Sequence, residues 1–492
     1  MDAKNKKSFF SEAAALYENK AYLRALNCSF LSMVAGPSRL ASGGLMLKSA
    51  ANLFLPGGMT RLLKKSKRSL SRTMDLIYYM MAKNQLSKMR IPLVNSHNNV
   101  LFIVRDMSVG GVTRVNLDII EGMRQGPCRF HVAATSRTSG PWHEKFEECC
   151  ESLIIPKRTI TDIGVWGKYF CYIVGKLNIG TVVISNSYVG YHALPYLKSM
   201  FPSLKTMDIL HAKEMWGASE PSRWAIPYLD KRILISKTLR YHLEKQYASS
   251  GVAPGYAERL NVIYNGIDPA QYGQAATITG LNFKSSLGLS ADTRIIAFIG
   301  RFSREKRPCL FVKIANGLMK RRQAEKLRFV MAGDGEAMVE VKKTIKKFRM
   351  EDNFILTGMI DARKVVELLA DTYLLLMTSS NEGVPLTMFE AMLMKVPVIA
   401  SDVGAVHEII EDRFNGCLVR PGGSLVRSYA NTVFDFLSGR LDHSAMAERA
   451  REKIVSEYSM DRMIQGYREA FRQLHSTDME AKKTGLQGTT CF

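Results

Sequence analysis

The chain has 492 residues, a length that allows more than one domain with a full hydrophobic core. Hydrophobic residues make up 46% and charged residues 23%, which is ordinary for a soluble globular protein. The sequence contains no run of about 18 uncharged apolar residues, which argues against a transmembrane helix. The eight cysteines show no CxxC spacing, so we expect reduced thiols in a cytosolic setting and no structural zinc site.

The net charge of +23 is unevenly distributed along the chain. Residues 1–97 contain 16 Lys or Arg and 4 Asp or Glu, which leaves a net charge of +12 in this region. The asymmetry suggests an anionic partner, such as a membrane surface, a nucleic acid or a phosphorylated substrate. The alternative is a basic, solvated face that has no partner.

Residues 1–97 lack the alternation of strands and helices and are predicted to form a basic helical N-terminal extension. Within it, residues 59–72 place methionine and leucines on one helical face and five basic residues on the other. Such a helix suits the surface of an anionic bilayer, while packing of the apolar stripe on the protein itself is an equal alternative.

From residue 98 the pattern becomes an alternation of strand-like and helix-like segments, which predicts a parallel, doubly wound sheet. The predicted strands of this first domain, residues 98–275, are 100–104, 129–133, 181–185, 206–210, 232–235 and 260–264.

A polar stretch over residues 272–293 reads as a linker, and a second series of strands and helices follows it. The predicted strands of the second domain, residues 276–458, are 294–299, 327–331, 353–356, 373–377, 396–400 and 416–419. A C-terminal amphipathic helix over residues 459–475 and a disordered tail over 476–492 complete the prediction. Two Rossmann-like domains in tandem imply a cleft between them, which is a common place for a ligand.

Two carboxylates mark the end of one predicted strand of the second domain. Glu382 lies in a loop after the strand at 373–377, and Glu390 lies in a helix-like run that begins near Leu386. Ligands of open α/β sheets bind at the carboxyl ends of strands, where helix N-termini offer free N–H groups. Carboxylates there can accept hydrogen bonds from hydroxyl groups, so the segment is suited to a sugar nucleotide.

The second domain resembles the family-4 (group 1) glycosyltransferases, which have the GT-B architecture of two Rossmann-like domains that face a cleft. The first domain matches more loosely, through the glycine pair at residues 110–114 and through His211. The segments of the second half that carry the resemblance, in order, are 265–268, 300–306, 332–335, 356–358, 382–390, 397–401 and 404–408.

The resemblance implies roles for both carboxylates. Glu390 would accept hydrogen bonds from the ribose hydroxyls, and Glu382 would contact hydroxyls of the donor sugar. The backbone N–H groups from Gly383 through Val384 to Leu386 would assist Glu382. The alternatives are a glutamate that complements the helix dipole, for Glu390, and a turn acid in a solvent loop, for Glu382.

The resemblance places two cations, Arg301 and Lys306, against the donor diphosphate. Fixed cations stabilise the charge that builds on a leaving diphosphate oxygen without a metal ion. Arg304 and Arg307 are interpreted as ordinary surface charges, although the family often has a glycine directly after the lysine.

Three further residues come from the first domain. Gly110 and Gly111 lead into a helix whose N-terminus suits a phosphate, and a plain tight turn is the alternative. His211 would point at the donor sugar, and a structural histidine at a strand end is the alternative. Glu408 of the second domain is expected to cap or brace the fold.

The implied activity is that of a retaining glycosyltransferase, which moves a sugar from a nucleotide-sugar donor to a glycan or lipid-linked acceptor in surface polysaccharide or glycoconjugate biosynthesis. No DxD-type cluster occurs, so no metal or other cofactor is expected. We expect a cytoplasmic enzyme, peripheral on the inner face of the plasma membrane, and no nucleic-acid partner. The alternatives are a sugar-nucleotide epimerase or hydrolase of the same fold and a non-catalytic nucleotide-sugar-binding protein.

Overall fold

The computed structural model describes residues 98–108, 110–136, 142–156, 160, 162–212, 225–249, 254–272, 283–321 and 326–483. The predicted N-terminal extension, with its basic amphipathic segment, lies outside the described residues. The predicted boundary between residues 275 and 276 also lies outside them.

The first domain is built on a parallel sheet of seven strands in the order β3-β2-β1-β4-β5-β6-β7. Its strands are β1 (Asn99–Val104), β2 (Arg129–Ala134), β3 (Ser152–Ile154), β4 (Thr181–Ser185), β5 (Lys205–Leu210), β6 (Lys231–Leu234) and β7 (Leu260–Val262). The helices between them are α1 (Gly111–Met123), α2 (His143–Cys149), α3 (Ile163–Lys176), α4 (Tyr188–Met200) and α5 (Lys237–Ser249).

Both faces of this sheet are covered, as alternate residues of the central strand show. Val100 and Phe102 of β1 belong to the core that contains the apolar residues of α1. Leu101 and Ile103 of the same strand belong to the core that contains α3 and α4. A strand that is buried on both sides reads as a continuous apolar run, which is why the sequence predicts these strands.

The second domain is a parallel sheet of six strands in the order β10-β9-β8-β11-β12-β13. Its strands are β8 (Arg294–Ile299), β9 (Leu327–Ala332), β10 (Phe354–Gly358), β11 (Thr372–Met377), β12 (Val398–Ser401) and β13 (Cys417–Val419). The helices from here to the end are α6 (Phe283–Ser286), α7 (Pro308–Met319), α8 (Met338–Lys347), α9 (Ala362–Ala370), α10 (Leu386–Leu393), α11 (Val406–Ile409), α12 (Leu425–Leu437), α13 (His443–Glu457) and α14 (Met460–Lys483).

The predicted fold class, two parallel Rossmann-like sheets in tandem, is therefore confirmed. The sequence misses β3, a strand of three residues at the edge of the first sheet with only partly buried side chains. In each sheet the strand order reverses at one point, between β1 and β4 and between β8 and β11. Loops that leave the carboxyl ends of strands at such a reversal form the usual ligand crevice of open α/β sheets.

The last helix differs from the prediction in length and in place. It continues to Lys483, so residues 476–483 are helical rather than a disordered tail, and residues 484–492 lie outside the described part. Good helix formers in this stretch, such as Met479, Glu480 and Ala481, favour the longer helix. No helix of the described residues is long and apolar enough to span a bilayer.

Helix α14 packs on the first domain, although it follows the second in sequence. Arg468 donates to the carbonyl oxygen of Gly122 in α1 at 3.0 Å, and Lys231 of β6 donates to Gln473 at 2.8 Å. The chain returns from the second domain to the first directly beside the segment by which it left the first domain. Ile267 donates its N–H to Tyr458 O at 3.0 Å, and Met460 donates its N–H to Ile267 O at 2.9 Å. The predicted separate C-terminal helix thus completes the first domain.

Candidate active site

The candidate site of the second domain is formed by the loops that follow β8 and β11, residues 300–307 and 378–385. These strands are neighbours at the point where the strand order reverses. Hydrogen bonds hold the two loops together: Ser380 N–H donates to Glu305 O at 2.7 Å, and the Thr378 hydroxyl donates to Lys306 O at 2.9 Å. Groups on the two loops are therefore fixed relative to each other.

Lys306 and Glu382 form a close ion pair across these loops. Lys306 Nζ lies 2.6 Å from Glu382 Oε1 and 2.8 Å from Oε2, and the Ser379 hydroxyl donates to Oε1 at 2.6 Å. The Glu382 side chain is only 7% exposed, whereas that of Lys306 is 26% exposed. A turn acid in a solvent loop would be exposed, so this burial disagrees with the alternative for Glu382.

Arg307, interpreted from the sequence as a surface charge, instead braces the site. Its Nε donates to Thr378 O at 2.6 Å, and its guanidinium also bonds the Ser379 carbonyl and the Ser401 hydroxyl. The backbone of Arg307 is left-handed, with φ of 50°. That conformation favours glycine, which explains why the family often has glycine here.

Arg301, the other predicted diphosphate cation, has different surroundings. Its side chain is 54% exposed and lies 3.9 Å from the carboxylate of Glu305, in the same loop. An exposed pair at that distance fixes a side chain weakly. The structure thus brings Lys306 to Glu382 and leaves Arg301 near the rim of the loop.

Gly383 is one of the points at which the second domain touches the first. A Cβ atom built on Gly383 would overlap the carbonyl oxygen of His211, which follows β5. The backbone of Glu382 is packed as tightly from the other side, because a Cβ on Gly404 would overlap its carbonyl oxygen. Gly404 also has a left-handed φ of 58°, so both the space and the conformation require glycine.

The His211 side chain is buried, and its Nε2 lies 3.0 Å from the Ser185 hydroxyl at the end of β4. Burial lowers the pKa of His211 to about 4, so its imidazole is neutral at pH 7. The main chain of His211, rather than its ring, makes the contact with Gly383.

Glu390 lies in α10, which begins at Leu386 after Pro385. Its Oε1 accepts a hydrogen bond from the Tyr272 hydroxyl at 2.9 Å. Burial raises the pKa of Glu390 above its usual range, and the Tyr272 hydroxyl and the positive charge of Arg114 oppose that rise. The preceding Val384 is buried, and its carbonyl accepts from the Asn265 side chain at 3.2 Å.

Gly110 and Gly111 stand at the start of α1, with Gly110 as the N-cap. A Cβ on either glycine would meet no atom within 4 Å, so open space adjoins this helix N-terminus. The same helix carries Arg114, which pairs with Asp118 one turn further along at 2.7 Å and whose positive charge acts on Glu390.

Glu408 braces the two domains. Its carboxylate accepts from the N–H groups of Lys237 at 3.0 Å and Thr238 at 2.6 Å, and from the Tyr264 hydroxyl. Burial would raise the pKa of Glu408, but these hydrogen bonds outweigh it and leave the pKa below its usual value. A carboxylate of the second domain therefore caps the N-terminus of α5 in the first.

Residues 281–453, the second domain, match the family described as Glycosyl transferases group 1. The second domain of the chain belongs to this family. Among curated group 1 relatives, an N-acetyl-alpha-D-glucosaminyl L-malate synthase of Bacillus anthracis is 27% identical over 223 residues, which cover 45% of this chain and 56% of that protein. A UDP-Gal:alpha-D-GlcNAc-diphosphoundecaprenol alpha-1,3-galactosyltransferase of Escherichia coli is 23% identical over 42% of this chain and 52% of that protein. The chain spans about half the length of the curated relatives it matches.

Solved structures support the GT-B fold for this chain. A glycosyltransferase of Rickettsia africae superposes with a TM-score of 0.64 at 17% identity, over 77% of this chain and 99% of that one. Anabaena HepE in complex with UDP-glucose superposes with a TM-score of 0.62 at 18% identity, over 78% of this chain and 99% of that one. At this identity the likeness establishes the GT-B fold alone.

The partners of the two carboxylates are not predicted from the sequence. Ser379 donates to Glu382, and Tyr272 donates to Glu390. Ser379 stands directly after a buried strand, which is a usable signal. Tyr272 stands at the start of the predicted linker, and the sequence gives no sign of its partner 118 residues away.

Proposed function

We propose that this chain is a retaining glycosyltransferase that moves a sugar from a nucleotide-sugar donor to a glycan or lipid-linked acceptor. The contact between Lys306 and Glu382 carries the proposal. It joins a cation suited to the donor diphosphate and a carboxylate suited to sugar hydroxyls, where the crevice of an open α/β sheet lies.

The donor would span the second domain. Glu390 in α10 would bind the ribose, and Glu382 would bind the sugar. Lys306 and Arg301, which lie in the same loop, would bind the diphosphate. The N–H groups of Gly383, Val384 and Leu386 would face the sugar, and Gly110 and Gly111 would face the diphosphate from across the cleft. His211, whose carbonyl contacts Gly383, would close the sugar pocket.

In the proposed reaction the acceptor oxygen bonds to the anomeric carbon from the face that the diphosphate leaves. The bond between that carbon and the diphosphate oxygen breaks, and the leaving diphosphate takes the acceptor proton. Lys306 stabilises the negative charge that develops on the diphosphate. Glu382 is held by Lys306 and Ser379, which suits a carboxylate that positions hydroxyls rather than one that attacks carbon.

The relatives guide the choice of donor and pathway. Anabaena HepE has been solved with UDP-glucose, and the relative of Escherichia coli is named for transfer from UDP-Gal. Other relatives are named for amylovoran biosynthesis in Erwinia amylovora and teichuronic acid biosynthesis in Bacillus subtilis. We therefore place the reaction in surface-polysaccharide or glycoconjugate assembly in the cytoplasm, with a uridine nucleotide as the first donor to test.

A thermal-shift screen of nucleotide sugars tests the donor. The correct donor at about 100 times its Kd is expected to raise the unfolding midpoint by roughly 5 to 10 °C, because it binds only the folded chain. Activity is then followed with and without an oligosaccharide or lipid-linked acceptor. Product formed without any acceptor favours an epimerase or hydrolase, and a shift without any product favours a non-catalytic binding protein. No shift with any nucleotide sugar or nucleoside diphosphate contradicts the proposal.

Residues 1–97 are proposed to hold the enzyme on an anionic bilayer at the inner face of the plasma membrane. Full-length protein should sediment with phosphatidylglycerol vesicles at low salt and detach at high salt, because surface charge attraction is screened. A variant that lacks residues 1–97 should stay in the supernatant. Equal sedimentation of the two proteins would contradict this role, and the circular dichroism of the shortened variant serves as its folding control.

A further inference from the structure

Tyr272 links the carboxylate of Glu390 to the first domain. It lies between β7 and β8 in the sequence, and the residue is 7% exposed. The ring belongs to the same apolar core as Met388 and Phe389 of α10. The hydroxyl donates to Glu390 Oε1 at 2.9 Å, so the buried ring fixes the direction from which this oxygen is bound.

Arg114 of α1, the helix that begins after Gly110, is the charged residue that acts on Glu390 from the first domain. Its Nε lies 2.7 Å from Asp118, and it donates to the Gln271 side chain at 3.4 Å. Its positive charge favours the ionised form of Glu390. The charged and titratable groups that face Glu390 are therefore Tyr272 and Arg114, with Asp118 on the far side of the arginine.

A carboxylate has two oxygens, and the tyrosine occupies one of them. Fixing one oxygen orients the second and removes rotations that a free glutamate side chain would lose on binding a ligand. Only the ionised carboxylate has acceptors on both oxygens, and hydrogen bonds to a charged acceptor are the stronger ones, so the ionised form binds ribose hydroxyls best. The tyrosine hydroxyl serves both requirements, because it donates to the ionised form.

We propose that Tyr272 is a positioning residue for the donor nucleotide: its hydroxyl holds Oε1 of Glu390 so that Oε2 is presented to the ribose. This inference rests on the proposed function, since it assumes that Glu390 takes the ribose. The opposite arrangement, in which the tyrosine competes with the ribose for Glu390, predicts tighter binding once the hydroxyl is removed.

The test compares Tyr272→Phe with wild-type protein in calorimetric titrations with UDP-glucose. Tyr272→Phe is expected to weaken binding by about 10-fold at neutral pH, the effect of one hydrogen bond to a charged group. Loss of the hydroxyl also removes an interaction that lowers the pKa of Glu390. The carboxylate is then protonated at a higher pH, so the acidic fall in affinity should move to higher pH.

Tyr264→Phe is the matched control. Tyr264 also donates its hydroxyl to a glutamate carboxylate between the domains, but that carboxylate is Glu408, which caps α5 and has no part in the proposed donor site. The control should bind UDP-glucose with wild-type affinity and pH dependence. Thermal unfolding of all three proteins shows whether each is folded.

Three outcomes would overturn the inference while leaving the proposed function intact. These are unchanged affinity and pH dependence in Tyr272→Phe, tighter binding in that variant, or an equal loss in Tyr264→Phe. A wild-type protein that binds neither UDP-glucose nor any other nucleotide sugar would instead remove the proposed function, and this inference with it.

Discussion

Replacement of Lys306 by alanine is expected to slow sugar transfer by about 10²- to 10³-fold, the range for removal of one fixed group that stabilises a developing negative charge. The variant retains the Ser379 hydroxyl on Glu382, but it lacks the cation that lies 2.6 Å from this carboxylate. Since the Lys306 side chain is partly solvated, we expect the protein to fold. Initial rates at saturating donor, together with the thermal midpoint, check both expectations.

Arg304→Ala is the matched control for Lys306→Ala. Both replacements remove a positive charge from the loop after β8, but the Arg304 residue is exposed and Lys306 pairs with Glu382. The control should transfer sugar at close to the wild-type rate. Normal transfer by Lys306→Ala, or equal losses in the two variants, would refute a specific role for Lys306 at the diphosphate.

Replacement of Gly383 by alanine is expected to lower turnover by about 10²-fold, because a misplacement of roughly 1 Å between catalytic groups has that effect. The new methyl group would overlap the carbonyl oxygen of His211 and contact Ile235, both in the first domain. The domains must separate to accommodate it. We expect a larger radius of gyration by small-angle scattering and a donor affinity that falls less than turnover does.

Gly255→Ala provides the comparison for this steric effect. A Cβ at Gly255 meets no atom within 4 Å, so the same chemical change there should leave turnover and the scattering profile as in the wild type. Wild-type turnover in Gly383→Ala would show that the contact with His211 does not limit catalysis. Retained β-sheet circular dichroism separates the expected result from simple unfolding.

The sequence predicts most strands correctly because each central strand is buried on both faces and reads as an uninterrupted apolar run. The strand from Arg294 to Ile299 has the predicted bounds. The edge strand from Ser152 to Ile154 escapes prediction, because three partly buried residues give no such run. The sequence does not predict the helical conformation of residues 476–483, because a short polar stretch has no apolar periodicity that would separate a helix from a disordered tail.

The site could be predicted only as far as separate motifs allow. The resemblance places Lys306 and Glu382 on different loops, and the strand order brings them together across 76 residues of sequence. The hydrogen bond from Tyr272 to Glu390 spans 118 residues and depends on how the chain passes between the sheets. Arg307 was misjudged because a basic residue in a loop looks solvent-exposed until the neighbouring strand ends supply carbonyl oxygens for its guanidinium.

Helix α14 has a consequence for protein engineering. The domain that contains β1 to β7 is completed by α14, which follows the second domain in sequence, so its polypeptide is discontinuous. A hybrid enzyme made by exchanging the C-terminal half with that of a relative should keep this helix with its original partner. The two splice points then fall near Ile267 and Ser459, which pair with each other, so the exchanged half is joined to the rest of the protein at two adjacent positions.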